Sequence, residues 1–247
     1  MDKGLYTAMT GAKHVLLQHA GTAHNLANAT TIGFKEMVHK FRAVEVQPSQ
    51  SAFHSRAFVV DASVKDNFEE GPLVYTGNNL DLAIQGKGWF AIRDRSGTEA
   101  YSRAGSFFVD ENGVLKSKTT GTAVIGDAGD DIIIPPEIAV FIGDDGTISA
   151  MQTTGDLNQA NVIGRLKLVN PPEDQLTRGG DGLFRGGTGE LDDTVRVVSG
   201  VLETSNVNVS DAMVQIISLS RQFELQTQMM QTIDEDAQTA DKLLSLN

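Results

Sequence analysis

No cysteine occurs in the 247 residues, which removes disulfides, thiolate catalysis and every thiolate-held metal together. A chain without thiols loses nothing in an oxidising compartment. Positive charge is scarce as well: 20 Lys and Arg against 32 Asp and Glu leave a formal net charge of −12. Nucleic acid and anionic membrane both require a cationic face, so neither is expected as the main partner. Residues 14–34 carry no formal charge when their histidines are neutral, and their length would suit a membrane span. Gln18, Asn25 and Asn28 make that reading poor, and no membrane insertion is expected. A cationic start, an apolar run and a small-residue cleavage site do not follow one another at the N-terminus, so a secretory signal peptide is not expected either.

Site chemistry is thin. His14, His19 and His24 step by five, which turns each about 140° around a helix and keeps them off one metal-binding face. Asp110, Asn112 and Gly113 echo a calcium loop, yet glycine arrives three residues after Asp110, where an EF-hand places it five later. A hairpin turn is the better assignment. Gly86-Lys87-Gly88 has no third glycine at the dinucleotide spacing, and no serine sits in a G-x-S-x-G elbow. The expectation is a non-enzyme with no catalytic, metal or cofactor residues.

What the chain does have is a seam at each end. Leu5, Met9, Ala12, Leu16, His19, Ala23 and Leu26 step by threes and fours within a helix expected from about Asp2 to Asn28. Ile216, Leu219, Phe223, Gln226, Met230, Ile233, Ala237, Ala240 and Leu244 do the same in a final helix, capped by Asn208 and running to about Leu246. This a/d spacing predicts that the two helices pair as a coiled coil, with each other or with copies. Gly4, Gly11 and Gly21 weaken the first helix, which is expected to order only when something packs on it.

The middle reads as strands. Residues 34–79 have scattered apolar positions without a period and suggest extended chain with a few strands. From Leu80 the pattern alternates, with Gly86-Lys87-Gly88 expected as a hairpin turn. Asp94-Arg95-Ser96-Gly97, Asp110-Glu111-Asn112-Gly113 and Asp144-Asp145-Gly146 supply further tight turns. The fold class is therefore α+β: terminal helices in a coiled coil and a central, mainly antiparallel β-domain. The expected division is residues 1–35 as the N-terminal helix, 36–79 as an extended connection, 80–204 as a β-rich outer domain and 205–247 as the C-terminal helix.

Two motifs flank the helices. Asn25-Leu26-Ala27-Asn28-Ala29-Thr30-Thr31-Ile32-Gly33-Phe34-Lys35 resembles the N-terminal signature of bacterial flagellar rod and hook proteins, and Gly200 to Asn208 resembles the matching signature before their last helix. Leu80 to Phe90 is similar to the start of that family's β-domain. The resemblance implies a structural subunit of the flagellar basal-body rod in the periplasm, in its proximal part, with a distal-rod member as the alternative. It implies as partners other copies of the chain, other rod proteins and the flagellar type III export apparatus. It also implies an assembly interface on the seams and signatures: Leu5, Met9, Ala12, Leu16, Asn25, Leu26, Asn28, Gly33 and Phe34, with Ile216, Leu219, Phe223, Met230, Ile233, Ala237 and Leu244. A more remote alternative is a ligand-binding β-domain built around Trp89, Phe90, Tyr101 and Arg103.

Overall fold

The computed structural model describes residues 2–45, 57–135, 139–151 and 161–244. These fall into two units, one from residues 1–29, 36–67 and 207–247 and the other from 30–35 and 68–206.

The first unit holds helix α1 (Asp2–Ala27), strands β1 (Met37–Glu45) and β2 (Ala57–Asp66), and helix α2 (Val209–Leu244). Asn208 caps α2, its Oδ1 accepting from the amides of Ser210 at 3.0 Å and Asp211 at 3.4 Å. The helices run antiparallel: Gly4 lies against Ile233, and Gly11 against Gln226. They do not form the coiled coil that the heptads predict. Leu5, Met9 and Leu16 stand outward, 39, 51 and 57% exposed, while Ala8, Ala12, Val15, Thr22 and Asn25 are buried. The physical reason is size. Large knobs hold helix axes about 8–10 Å apart, whereas the small residues Gly4, Ala8, Gly11 and Ala12 admit α2 closely. A Cβ at Gly11 would sit 3.1 Å from Gln226 Nε2. On α2 the expected stripe is the shielded one: Leu219 is buried, Ile216, Gln226, Met230, Ile233, Ala237 and Ala240 are half-buried, and Phe223 is 38% exposed. The side chain of Leu244 lies outside the described residues.

Residues 37–66 contain more order than their irregular sequence suggests. β1 and β2 pair antiparallel from Met37↔Asp66 to Glu45↔Ala57, with the register shifting between Lys40 and Phe41. That bulge breaks the alternation by which a strand is recognised. The ribbon packs on α1, where a Cβ at Gly21 would overlap the His39 ring. The Asn25 side chain ties the elements together, donating from Nδ2 to the Met37 carbonyl at 2.8 Å and accepting from the Met37 amide at 2.9 Å.

The second unit opens with β3 (Leu73–Tyr75), β4 (Leu82–Gln85), β5 (Trp89–Arg93) and β6 (Glu99–Ser102). It continues through β7 (Phe107–Val109), β8 (Leu115–Ser117), β9 (Ala139–Ile142), β10 (Thr147–Met151), β11 (Asn161–Arg165) and β12 (Leu168–Val169). It closes with β13 (Thr177–Arg178), β14 (Phe184–Arg185), β15 (Arg196–Ser199) and β16 (Val201–Glu203). A five-stranded sheet has the order β12-β5-β6-β14-β13 and a three-stranded one β11-β10-β9, beside the pairs β15-β4, β16-β3 and β7-β8. The ladders are antiparallel, as the turn chemistry predicts.

Strand β5 is covered on both faces. Phe90 and Ile92 enter the main core with Leu82, Ile84, Phe107, Leu115, Ile148 and Leu166, and Trp89 and Ala91 enter a second cluster with Tyr101, Phe184 and Phe68. The Asp-Gly turns close the β5–β6, β7–β8 and β9–β10 hairpins. Gly86-Lys87-Gly88 does not: β4 pairs with β15 while β5 pairs with β6 and β12, so this turn hands the chain from one sheet to another.

Candidate assembly surface and buried junction

Two features stand out on these units, one outward and one buried. The outward feature belongs to the helices. Beside Leu5, Met9 and Leu16, helix α1 exposes Tyr6 and Leu17, and α2 exposes Met213, Val214, Ile217, Leu225 and Met229 on the side turned away from α1. Single exposed apolar side chains are ordinary, but a row of them on each of two paired helices is the mark of a surface that meets something. Between the helices a cavity of about 260 Å³ is lined by Val15, Leu16, His19, Leu219, Ser220, Phe223 and Glu224.

The buried feature lies in the second unit. Glu203 at the end of β16 is 1% exposed, Lys35 is 1% and Arg103 is 4%. The Lys35 Nζ donates to Glu203 Oε1 at 2.7 Å and to the Glu69 carbonyl at 2.7 Å. Arg103 donates to Glu203 Oε2 at 3.1 Å and to the Gly86 carbonyl at 2.6 Å, and its guanidinium lies 5.5 Å from the Trp89 ring centre. The Gly71 amide completes the carboxylate's partners, donating to Oε1 at 3.0 Å. Burial pushes the Lys35 ammonium below its ordinary pKa, and the Glu203 carboxylate pulls it back up. Arg103 is also lowered by burial against the opposing pull of Glu203, and remains a cation because a guanidinium does not deprotonate in proteins.

Close backbone approach makes room for this cluster. The Gly33 amide donates to the Glu203 carbonyl at 2.9 Å, and the Asn206 amide to the Phe34 carbonyl at 3.4 Å. Gly33 has φ of +67°, and a Cβ there would overlap the Ala104 backbone. A Cβ at Gly71 would overlap the Thr204 carbonyl. Arg178 closes the other side, lying 4.8 Å from the Phe34 ring centre and 4.9 Å from that of Phe184 while donating to the Lys35 carbonyl.

The expected interface residues thus have different places. Leu5, Met9 and Leu16 are outward, Ala12 and Leu219 are buried within the first unit, and Leu26 and Asn28 are half-buried. Asn25 is occupied by Met37, and Gly33 and Phe34 serve the buried junction. Lys35 and Glu203 sit inside the two signatures, yet no spacing shows that charges so distant in sequence are buried together. Trp89, Phe90, Tyr101 and Arg103, suggested as a ligand site, are all core residues. Among the described residues no group of three or more His, Asp or Glu is gathered to hold a metal.

The family profile described as flagellar basal body rod FlgEFG protein C-terminal matches residues 198–243. The profile described as flagellar hook protein FlgE/F/G D1 domain matches residues 83–150. Over the whole length of both chains, the sequence is 40% identical to the flagellar basal-body rod protein FlgF of Escherichia coli K12 and 38% identical to that of Salmonella typhimurium LT2. It is 30% identical to the flagellar basal-body rod protein FlgG of Bacillus subtilis, over 95% of this chain and 96% of the relative.

Proposed function

The chain belongs to the FlgF family of flagellar basal-body rod proteins and is a structural component of that rod, and we propose that it assembles there through the outward faces of α1 and α2. The observation that carries the reading is the row of large apolar side chains on both helices, including Leu5, Met9 and Leu16 on α1 and Ile217, Leu225 and Met229 on α2. Each is already partly covered, so burying the remainder contributes only a fraction of the about 1.5–3 kcal/mol that full burial of such a side chain supplies.

The neighbours are other copies of the chain and other rod proteins of the proximal and distal rod. A helical shaft needs heterologous contacts, one surface meeting a different surface of the next subunit. The greater identity to FlgF than to FlgG supports a place in the proximal rod. In this reading the subunit transmits torque, performs no catalysis, and reaches the rod through the flagellar type III export apparatus.

The test is a Met9→Asp/Leu16→Asp chain expressed in cells that lack the native protein. Both positions are solvent-exposed, so the helical content of the purified variant stays at the wild-type level. The variant is expected to be absent from isolated basal bodies and to leave the cells non-motile; normal incorporation and swimming would sink the proposal.

A further inference from the structure

We infer that copies of the chain join head to tail through α2, an apolar ridge on its outer side seating in the cavity between α1 and α2 of the next copy. The inference rests on the reading that these helices assemble the rod, and names the contact. Val214, Ile217, Arg221 and Leu225 step by three and four along α2 and are all exposed. That spacing keeps them within about 80° of arc. Leu219 and Phe223, two residues to either side of Arg221, point about 160° away from it. They line the cavity together with Val15 and Leu16. One helix therefore carries both a protruding apolar stripe and one wall of a largely apolar hollow of about 260 Å³.

Charge selects the occupant. Between Asp211 and Asp234 the only charged side chains of α2 are Arg221, on the ridge, and Glu224, which lines the cavity. Among the described residues neither has an ion-pair partner. Seating the ridge of one copy in the cavity of the next brings Arg221 to Glu224 and covers Ile217 and Leu225 with Leu16 and Phe223. A two-fold pairing of ridge on ridge would instead set Arg221 against Arg221, a like-charge contact that costs affinity. Ridge and cavity are different surfaces of one molecule. A contact between them does not close on two copies and leaves a free ridge and a free cavity for the next, as a helical shaft requires.

The absence of native cysteine makes the test direct. Cells that lack the native protein co-express a Leu225→Cys chain and a Ser220→Cys chain, one marking the ridge and the other the cavity, and their isolated basal bodies are oxidised. Disulfide geometry tolerates Cα separations only up to about 7 Å, so the mixture should yield on the order of tenfold more chain dimer than either variant alone. Adding Arg221→Glu to the first chain should lower that yield about threefold or more, and adding Glu224→Arg to the second should restore it to within about twofold. Each chain then carries two like charges on α2, so pairing inside a chain cannot produce the rescue. Should the Leu225→Cys chain fail to enter the rod, Ser218→Cys beside the ridge replaces it. Dimers from each variant alone would show a two-fold contact. Incorporation without dimer, or with dimer indifferent to both charge changes, would show that another rod protein or nothing fills the cavity. Either result overturns the inference, whereas normal entry of the Met9→Asp/Leu16→Asp chain would overturn the assembly reading on which it rests.

Discussion

Lys35 and Glu203 are 168 residues apart in sequence and 2.7 Å apart in space, both sealed from solvent. Each lies within one of the two motifs by which the chain resembles rod and hook proteins. Those motifs are therefore two halves of one internal joint, with Gly33 and Gly71 present because the backbones around it touch.

Removing the charge from one member of this joint should be costly. Glu203→Gln strands two buried cations and is expected to lower the stability of the second unit by about 3–5 kcal/mol, read from urea midpoints. The fully apolar triple replacement should cost far less. Similar losses in both variants would show that packing volume, not charge pairing, is what the joint requires.

Two glycines separate conformation from crowding. Gly97 has φ of +84° with nothing within 4 Å of the point an added methyl would occupy, so Gly97→Ala should cost about 1–2 kcal/mol from the left-handed backbone alone. Gly33→Ala adds overlap with Ala104 and should cost at least about 1–3 kcal/mol more. Calorimetry on the two variants checks the order.

Acid should loosen the second unit through its turns. Ser96 and Arg185 hold the Asp94 carboxyl well below its ordinary pKa, Lys116 does so for Asp110, Thr147 for Asp145 and Thr194 for Asp192. A depressed folded-state pKa contributes stability that is complete above the unfolded value, near 3.9, and is lost as pH falls through the folded one. Urea midpoints should be level from about pH 7 to 5 and decline below about pH 4. Asp94→Asn should lower the neutral plateau and flatten that decline; an unchanged profile would remove Asp94 from the explanation.

The inner and outer sides of α1 should respond oppositely to size. Ala12→Leu forces a larger side chain into the close contact with α2 and is expected to destabilise the first unit by about 1–3 kcal/mol. Met9→Ala on the outer side should change the isolated chain by less than about 0.5 kcal/mol. Helix-detected thermal unfolding distinguishes them.

Much of this was legible in the sequence, for reasons that also explain the failures. The Asp-Gly turns and the alternating strands were readable because hairpins are specified locally. The α2 stripe was readable because Leu219, Met230 and Ile233 are both apolar and inward. In α1 the same rule found Ala12 but also pointed to Leu5, Met9 and Leu16, since it weighs hydrophobicity and not approach distance, and it passed over the buried Ala8 and Val15. The β1–β2 ribbon was hidden by its bulge. The joint of Lys35, Arg103 and Glu203 was invisible because charged residues read as surface until the fold brings their partners to them.

Trp89 is the chain's one tryptophan, wedged in the second unit with its ring centre 4.7 Å from that of Phe184 and 5.6 Å from that of Phe68. Its intrinsic fluorescence therefore reports on the packing of that unit, whereas α1 and α2 dominate the far-ultraviolet dichroism. Two optical signals from one unlabelled sample thus follow the two units separately, and any gap between their melting curves measures directly how far the helices lose order before the strands do.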